Sequence, residues 1–527
     1  MRVRELAETA QLGQNTQQRL EQQLLQMEHR TYLWLHLAID DIRSTFENSF
    51  RPAEESVRLI PPSVNHAYER ILDRVPPDKV HTVKKVLQII IAARRPLTTT
   101  EMAMALGITL YPESQTAVEA MLDSSQIDKK LRRLCGLFVF INNTKIYLIH
   151  QTAREFLIFK ANMNSVHDLY SWCLIDTEDQ MASICLKYLS MEDLEAEKEE
   201  LSSDALSFLE YSAVYWADHV RKMSSNSSQE LNDRLHQVYK SSGNLFSLWF
   251  PIFWKAVMPI HTIPSMKALH LAAFNGHERE VKHLLTINGS DINAADDTST
   301  YPITWASWNG HAEVVQILLD NGADVNSLGG WYGNALQAAC LGGRDRIVQI
   351  LLEKGAEVDA QGGEYGNALQ AASSKGHDKI VQMLLEKGAD VNAQDEWTGN
   401  ALQTASSKGY DKIVQMLLEK GADVNAQDEW TGNALQTASS KGYDKIVQML
   451  LEKGADVNAQ DEWTGNALQA ASSKGYDKIV QMLLEKEADV NARDRLDGYA
   501  LQAACFGGHG RIVQMLLEKG AEVDDQG

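Results

Sequence analysis

The chain is poor in cysteine: of 527 residues only Cys135, Cys173, Cys185, Cys340 and Cys505, odd in number and scattered. That usage offers no disulfide framework and implies reduced thiols in a cytosolic protein. No apolar run approaches the roughly twenty residues that span a bilayer. The most aromatic stretch, residues 245–257 with Trp249, Phe250, Phe253 and Trp254, is short and interrupted by Pro251. It reads as a plug packed beneath the segment that follows. Arg2, Arg4, Glu5 and Glu8 open the chain with no apolar core behind them, which is not a signal peptide. No GxxxxGK[ST] loop occurs, so there is no glycine cradle or lysine for terminal phosphates. His167, Cys173 and Cys185 lack the short paired spacing of a zinc site, and no metal is expected. With no nucleophile, base or carboxylate pair standing out, the expectation is a non-enzymatic chain without a cofactor.

Positive charge is scarce too. The formal net charge is −21. Residues 1–266 carry 28 Lys and Arg against 33 Asp and Glu, while residues 267–527 carry 22 against 38, a difference of −16. Such a field repels nucleic-acid backbones and favours basic or neutral protein partners.

What the second half does contain is a strict period. GNALQ begins at Gly333, Gly366, Gly399, Gly432 and Gly465, and GYALQ at Gly498, each 33 residues after the last. Residues 395–427 and 428–460 are identical, and residues 461–493 differ only at Ala470, Glu487 and Arg493, a mark of tandem duplication. A fixed period of this length means stacked units whose function lies on the surface that stacking creates. Within one unit, Asn400 can cap a short helix that Gly409 ends through a left-handed turn. Ile413, Val414, Met416, Leu417 and Leu418 then recur at helical spacing between charged residues, giving a second, amphipathic helix. Residues 421–432 hold turn formers at both ends and read as an extended loop reaching toward the next unit.

A 33-residue helix–turn–helix–hairpin unit carrying GADVNA resembles the ankyrin repeat. Eight units begin near Lys267, Tyr301, Asn334, Asn367, Asn400, Asn433, Asn466 and Tyr499, and the first keeps the AlaLeuHisLeuAla form at residues 268–272. It also carries a one-residue insertion around residues 286–288. Elsewhere NALQ replaces the family's TPLH: asparagine keeps a cap, alanine loses some stiffness, and glutamine keeps a hydrogen-bonding side chain. The expected fold is therefore mainly α, an ankyrin-repeat solenoid at 267–527 preceded by a winged-helix and helical base. Two departures stand out. Glu487 replaces a helix-ending glycine, and the last unit repeats the interior apolar pattern at Ile512, Val513, Met515, Leu516 and Leu517 instead of turning a polar face outward. Either repeats continue after Gly527, or this end pairs with another surface, self-association included.

In the first half, helices are expected over residues 80–93, 98–106 and 127–134, then strands over 137–141 and 145–149 joined by Asn142-Asn143-Thr144, and a further helix over 151–159. Three helices and a hairpin outline a winged helix, assigned to residues 76–160, with a helical linker domain at 161–266. The acidic run from Glu192 to Glu200 reads as a solvated face or linker. A winged helix can read DNA, and Lys129, Lys130, Arg132 and Arg133 on its third helix raise that alternative; the other reading makes them the solvated side of a helix whose Ile127, Leu131 and Leu134 are core.

The stretches ArgArgProLeuThr at 94–98, LeuCysGlyLeuPheVal at 134–139 and LeuIleHisGlnThrAlaArgGluPheLeu at 148–157 resemble the winged-helix segment of fungal NACHT-type (STAND) signalling NTPases. The same segment is found in sequences similar to the GPI inositol-deacylase winged helix. The resemblance implies that residues 1–75 are a helical segment following an NTPase core that this sequence does not contain. It also implies that His150, just after the hairpin, matches a histidine that contacts nucleotide phosphate; the alternative is a histidine hydrogen-bonded within its own fold. The apolar run at residues 32–39 ending in Asp40 and Asp41 mimics a magnesium-binding strand but reads better as a helix of that segment. The setting implied is fungal non-self recognition, with a nucleotide-gated receptor as the reading if a phosphate-binding loop lies upstream.

By the same family mapping, partner contacts fall on the hairpin tips and the exposed side of the first helix of each unit. These positions are Glu396, Trp397, Ser407 and Lys408, then Glu429, Trp430, Ser440 and Lys441, then Glu462, Trp463, Ser473 and Lys474. Trp331 takes the tryptophan place in an earlier unit. Aromatic tips supply large contact area at low entropic cost; the other reading packs each tryptophan on its neighbouring hairpin as part of the stack.

Overall fold

A computed structural model of the chain describes Gln18 and residues 63–159, 174–195, 203–224, 228–240, 244–287, 292–395, 399–428, 432–461, 465–493 and 498–523. The chain divides into two compact units, residues 1–263 and 264–527.

From residue 63 the described part of the first unit runs through α1 (Val64–Asp73), capped by Ser63, and α2 (Val80–Ala92). The third helix, α3 (Thr99–Leu110), starts with a reciprocal capping box: Thr98 Oγ1 accepts the Glu101 amide and Glu101 accepts the Thr98 amide. It runs four residues past the expected Leu106. Gly107 allows this, because a Cβ there would lie 1.8 Å from the Ala120 carbonyl oxygen of the short helix α4 (Ala117–Ala120). After α5 (Ile127–Cys135), residues Gly136–Phe138 form a single 3-10 turn, so the first strand starts at Val139. Strands β1 (Val139–Asn142) and β2 (Lys145–Leu148) pair antiparallel with Asn142 opposite Lys145. Asn143 and Thr144 make the turn with φ of 47° and 65°, the left-handed pair that suits the strand twist. The segment between α2 and α3 adds to the hairpin through Ile146 N–H to Leu97 O and Thr99 N–H to Thr144 O, both 2.8 Å. Helix α6 (Gln151–Phe159) closes the subdomain, bringing Phe156 against Tyr68 and Phe138 at 5.3 and 6.4 Å.

Helices α7 (Leu174–Leu189), α8 (Leu209–Arg221), α9 (Gln229–Val238) and α10 (Asn244–Val257) complete this unit. The aromatic segment is α10, and its Trp249 meets Trp216 of α8 edge-on at 5.4 Å. Its core partners thus include the helices before it, where the sequence suggested a plug under the repeats after it. The acidic run is also more than a solvated face: Asp193 accepts the Ala117 and Val118 amides at 2.8 and 3.1 Å and caps α4. Arg94 forks onto Glu178 with two 2.9 Å bonds, and Arg95 forks onto Glu101 at 2.9 and 2.7 Å. Burial alone would push the Glu178 carboxyl up, but the donors on His219 and Arg94 outweigh it and hold it below the usual range. Burial keeps His219 neutral, so its Nδ1–H donates to Glu178 (2.7 Å) while Nε2 accepts from Tyr211 (3.1 Å).

The second unit is a row of helix pairs. The pairs are Ala268–Asn275 with Glu278–Ile287, Pro302–Asn309 with Ala312–Asp320, Ala335–Leu341 with Asp345–Glu353, and Ala368–Lys375 with Asp378–Glu386. They continue as Ala401–Lys408 with Asp411–Glu419, Ala434–Lys441 with Asp444–Glu452, Ala467–Lys474 with Asp477–Glu485, and Ala500–Phe506 with Gly510–Glu518. The insertion near residues 286–288 falls partly outside the described residues. Each first helix stacks on the next first helix and each second helix on the next second helix. In every interior unit the residues matching Ile413, Val414 and Leu417 are core, these three at 0% exposure, while Met416 is half-buried.

The substituted motif explains the stacking. Asn400 Oδ1 accepts the Gln403 amide (2.9 Å) while Gln403 Oε1 accepts the Asn400 amide (2.7 Å). Gln403 Nε2 then donates to Gly432 O of the following unit at 2.7 Å. The same three bonds recur at Asn433 and Gln436. One side chain therefore both caps its own helix and fastens the next hairpin. Glycine at 409 is required twice over: φ is 82°, and a Cβ would come within 2.6 Å of the Tyr443 ring.

Candidate protein-interaction surface

Among the described residues two places could receive a partner or ligand. The first is a cleft of about 380 Å³ in the winged-helix region, between α2, the 93–97 segment, β2 and the start of α6. Its walls include Ile91, Leu97 and Leu148, and its polar groups are Arg94, Arg95, His150, Gln151 and Arg154. Arg94 and Arg95 are committed to Glu178 and Glu101. His150 is exposed; its Nδ1 lies 3.1 Å from Thr152 Oγ1 and accepts the Thr152 amide at 3.2 Å. That bond turns the ring into a local cap for α6 and leaves Nε2 toward solvent. The cations of α5 are also exposed, Lys129, Lys130, Arg132 and Arg133, and Arg132 reaches the Ile141 carbonyl at 3.2 Å.

The second place is the face of the repeat unit made by the first helices and the hairpins. Lys408, Lys441 and Lys474 are exposed at the ends of successive first helices, so one ammonium projects per repeat. Ser407 and Ser440 are half-buried and Ser473 is exposed; each hydroxyl donates back to a carbonyl one turn earlier, Thr404, Thr437 and Ala470, at 2.9 Å. Glu396, Trp397, Glu429, Trp430, Glu462 and Trp463 lie outside the described residues, as do His167, Cys173 and residues 32–41. The strands flanking those tips are placed, for example Gln394 opposite Asn400 and Asp395 opposite Gly399.

Trp331 can be seen in full. It is 42% exposed and meets Tyr332 at 5.0 Å and Tyr365 at 5.5 Å, each edge-on at 89°. Tyr332 in turn meets Trp305 (5.4 Å) and Trp308 (5.2 Å), and Trp305 meets Phe274 (5.4 Å). Trp331 is thus the exposed edge of an aromatic chain whose inner members Tyr332, Trp305 and Phe274 are core. Sequence reasoning missed Tyr332 and Tyr365 because they precede Gly333 and Gly366, where later units have Thr398, Thr431 and Thr464.

The opposite face, on the second helices, carries a ladder of ion pairs: Lys379–Asp345, Lys412–Asp378, Lys445–Asp411 and Lys478–Asp444 at 2.9 to 3.0 Å, each joining one unit to the one before. Those lysines are spoken for, whereas Lys408, Lys441 and Lys474 of the first helices enter no such ion pair among the described residues. At the far end of the array, Phe506 is 94% exposed and Leu517 44%, although Leu418, the counterpart of Leu517 in an interior unit, is 8% exposed.

Comparison with known proteins gives the following. Residues 269–362, 325–395, 369–461 and 435–527 match the model described as ankyrin repeats (3 copies). Residues 77–167 match the GPI inositol-deacylase winged helix domain, and residues 1–55 match a domain of unknown function, DUF7069. The vegetative incompatibility protein HET-E-1 of Podospora anserina is 21% identical over 221 residues, 38% of this chain. The matched stretch spans only 16% of that protein's own length. Among solved structures, the human ASB11 ankyrin repeat domain aligns over 42% of this chain and 99% of its own at 26% identity, with a TM-score of 0.38.

Proposed function

We propose, from the premise that this chain joins ankyrin repeats to a winged-helix domain of the GPI inositol-deacylase type, that it is a non-enzymatic recognition protein whose repeat face holds a protein partner. The observation that carries the reading is the asymmetry of the array. Lysines on the second helices are locked in inter-repeat ion pairs, while the first-helix and hairpin face presents exposed lysines and an exposed tryptophan edge. A surface of that kind, repeated at a fixed pitch, suits an extended partner or several weak contacts acting together. The name of the fungal relative supports a setting in non-self recognition, and the cysteine usage supports a cytosolic one. The test is co-precipitation from the native cell with the full chain and with a chain lacking residues 264–527. The reading requires the partner to be lost with the repeats; a partner retained by the shortened chain contradicts it.

A second reading rests on the cleft. His150 and Arg154 in its lining supply an imidazole and a cation where a phosphate could sit, which favours a nucleotide-responsive role for the winged helix in the resembled receptor family. Titration of the purified chain with a fluorescent ADP analogue, repeated on His150→Ala, decides it: saturable binding weakened by the substitution supports the second reading, and no binding by the chain as it stands removes it.

A further inference from the structure

The hairpins of the first four repeats are acidic: residues 288–300, 322–333, 355–366 and 388–399 contain ten Asp and Glu and no Lys or Arg. Two of these hairpins, the second and the third, are built on the same plan, with glycine pairs at 329–330 and 362–363 followed by Trp331-Tyr332 and Glu364-Tyr365. The plan fixes their tips against each other. Gly329 N–H donates to Gly333 O and Gly362 N–H to Gly366 O within each hairpin, and Glu364 N–H donates to Trp331 O between them at 3.0 Å. A Cβ at Gly363 would meet the Gly333 backbone nitrogen at 2.6 Å, so the two tips approach as closely as backbones can. The result sets an exposed carboxylate, Glu364, next to an exposed indole, Trp331, with Leu328 also exposed beside them at 48%.

We propose that this rim, centred on Trp331, Glu364 and Tyr365, docks an arginine-bearing segment of the partner. The inference rests on the reading of the repeat face as a protein-binding surface and adds to it a place and a chemistry. A planar guanidinium can lie on the indole face while its N–H fork meets the carboxylate, two interactions that a lysine ammonium cannot make in the same geometry. The chain already stacks a guanidinium on a ring elsewhere in the array, Arg493 at 5.0 Å from the Tyr499 ring centre. The backbone bond between the tips fixes the main chain of Trp331 and Glu364 side by side before binding, which lowers the ordering cost of the encounter. The hairpins carry no Lys or Arg of their own, and although Lys375 of the neighbouring helix stands over the Tyr365 ring, their carboxylates outnumber it and favour a positive segment over an acidic one.

The experiment uses the full chain and three fluorescein-labelled Gly-Ser peptides of equal length carrying four arginines, four lysines or four glutamates, followed by anisotropy at physiological salt. The arginine peptide is expected to bind at least threefold more tightly than the lysine peptide, with the glutamate peptide unbound. Trp331→Ala is expected to weaken the arginine peptide about tenfold and Glu364→Gln about threefold, in line with the usual worth of a cation over a tryptophan face. Trp331→Phe should recover part of the loss, which guards against a folding defect, and Glu419→Gln, which removes the same charge from a second helix, should change nothing. Equal affinity for arginine and lysine peptides, no binding of either, or indifference to Trp331→Ala and Glu364→Gln would each overturn the assignment. None of those outcomes touches the loss of partner on deleting residues 264–527, so the rim can fail while the broader reading stands.

Discussion

At position 487 the chain puts a glutamate where its sister repeats have glycine. The backbone still takes the left-handed turn, with φ of 66° at Glu487 against 87°, 86° and 86° at Gly388, Gly421 and Gly454. A Cβ at those three glycines meets nothing within 4 Å, so the penalty is purely conformational, of order 1 kcal/mol. Glu487→Gly should raise the thermal midpoint of the array by a few degrees in a melting scan, and an unchanged midpoint would contradict the strain. Glu280 departs in another way. It occupies the core position that Ile413 holds in the fifth unit, is fully buried, and burial pushes its carboxyl up to about 7. Between the unfolded value near 4.5 and about 7 the native state holds a proton that the unfolded state releases, so stability is fullest below 4.5 and falls as pH rises through 7. The loss is of order 3 kcal/mol from the size of the shift. Glu280→Gln should therefore flatten the dependence of unfolding on pH between 4.5 and 8, read by denaturant titration, leaving the variant more stable than the parent at pH 8.

The loops between repeats are held by a ladder of side chains. Asn392 accepts the Asp423 amide at 2.7 Å and donates to Gly421 O at 3.4 Å, and Asn425, Asn458 and Asn491 repeat the pair of bonds. At the third rung, after Asn293 and Asn326, the chain has Asp359, which accepts the Asp390 amide at 2.9 Å and has no amide hydrogen to give back. Asp359→Asn restores the donor and should add about 0.5 kcal/mol, measurable as a shift in the urea midpoint with unchanged slope. Elements like these were legible in the sequence because the period exposed them: the asparagine cap, the glycine stop and the amphipathic second helix each sit at a fixed register. The winged-helix elements were legible through hydrophobic spacing and the Asn-Thr turn, with ends displaced by a few residues where tertiary contact intervened. The extension of α3 past Leu106 depends on Gly107 meeting α4, a contact between residues thirteen apart, and the capping of α4 by Asp193 joins residues more than seventy apart. Neither leaves a local pattern. The same holds for the fork of Arg94 onto Glu178 and the chain of rings ending at Trp331, since only folding brings those residues together.

Across the whole chain, sequence and structure divide the work between two compact units, 1–263 and 264–527. The second unit sorts its lysines by face. Lys412, Lys445 and Lys478 bridge to the preceding repeat, and Lys408, Lys441 and Lys474 project from the first helices. Exposed ion pairs of the bridging kind are individually weak, and their removal by salt costs little; their consequence is to leave one face chemically quiet and the other available. The most direct test of the account is lysine acetylation footprinting of the full chain with and without its captured partner. Residues 395–427 and 428–460 are identical, so their peptides merge, yet Lys408 and Lys441 remain distinct from Lys412 and Lys445 within them. The account predicts that the partner protects the first-helix lysines while Lys412, Lys445 and Lys478 react as before. Protection centred on Lys129, Lys130 and Lys145 of the winged helix, with the first-helix row untouched, would contradict it.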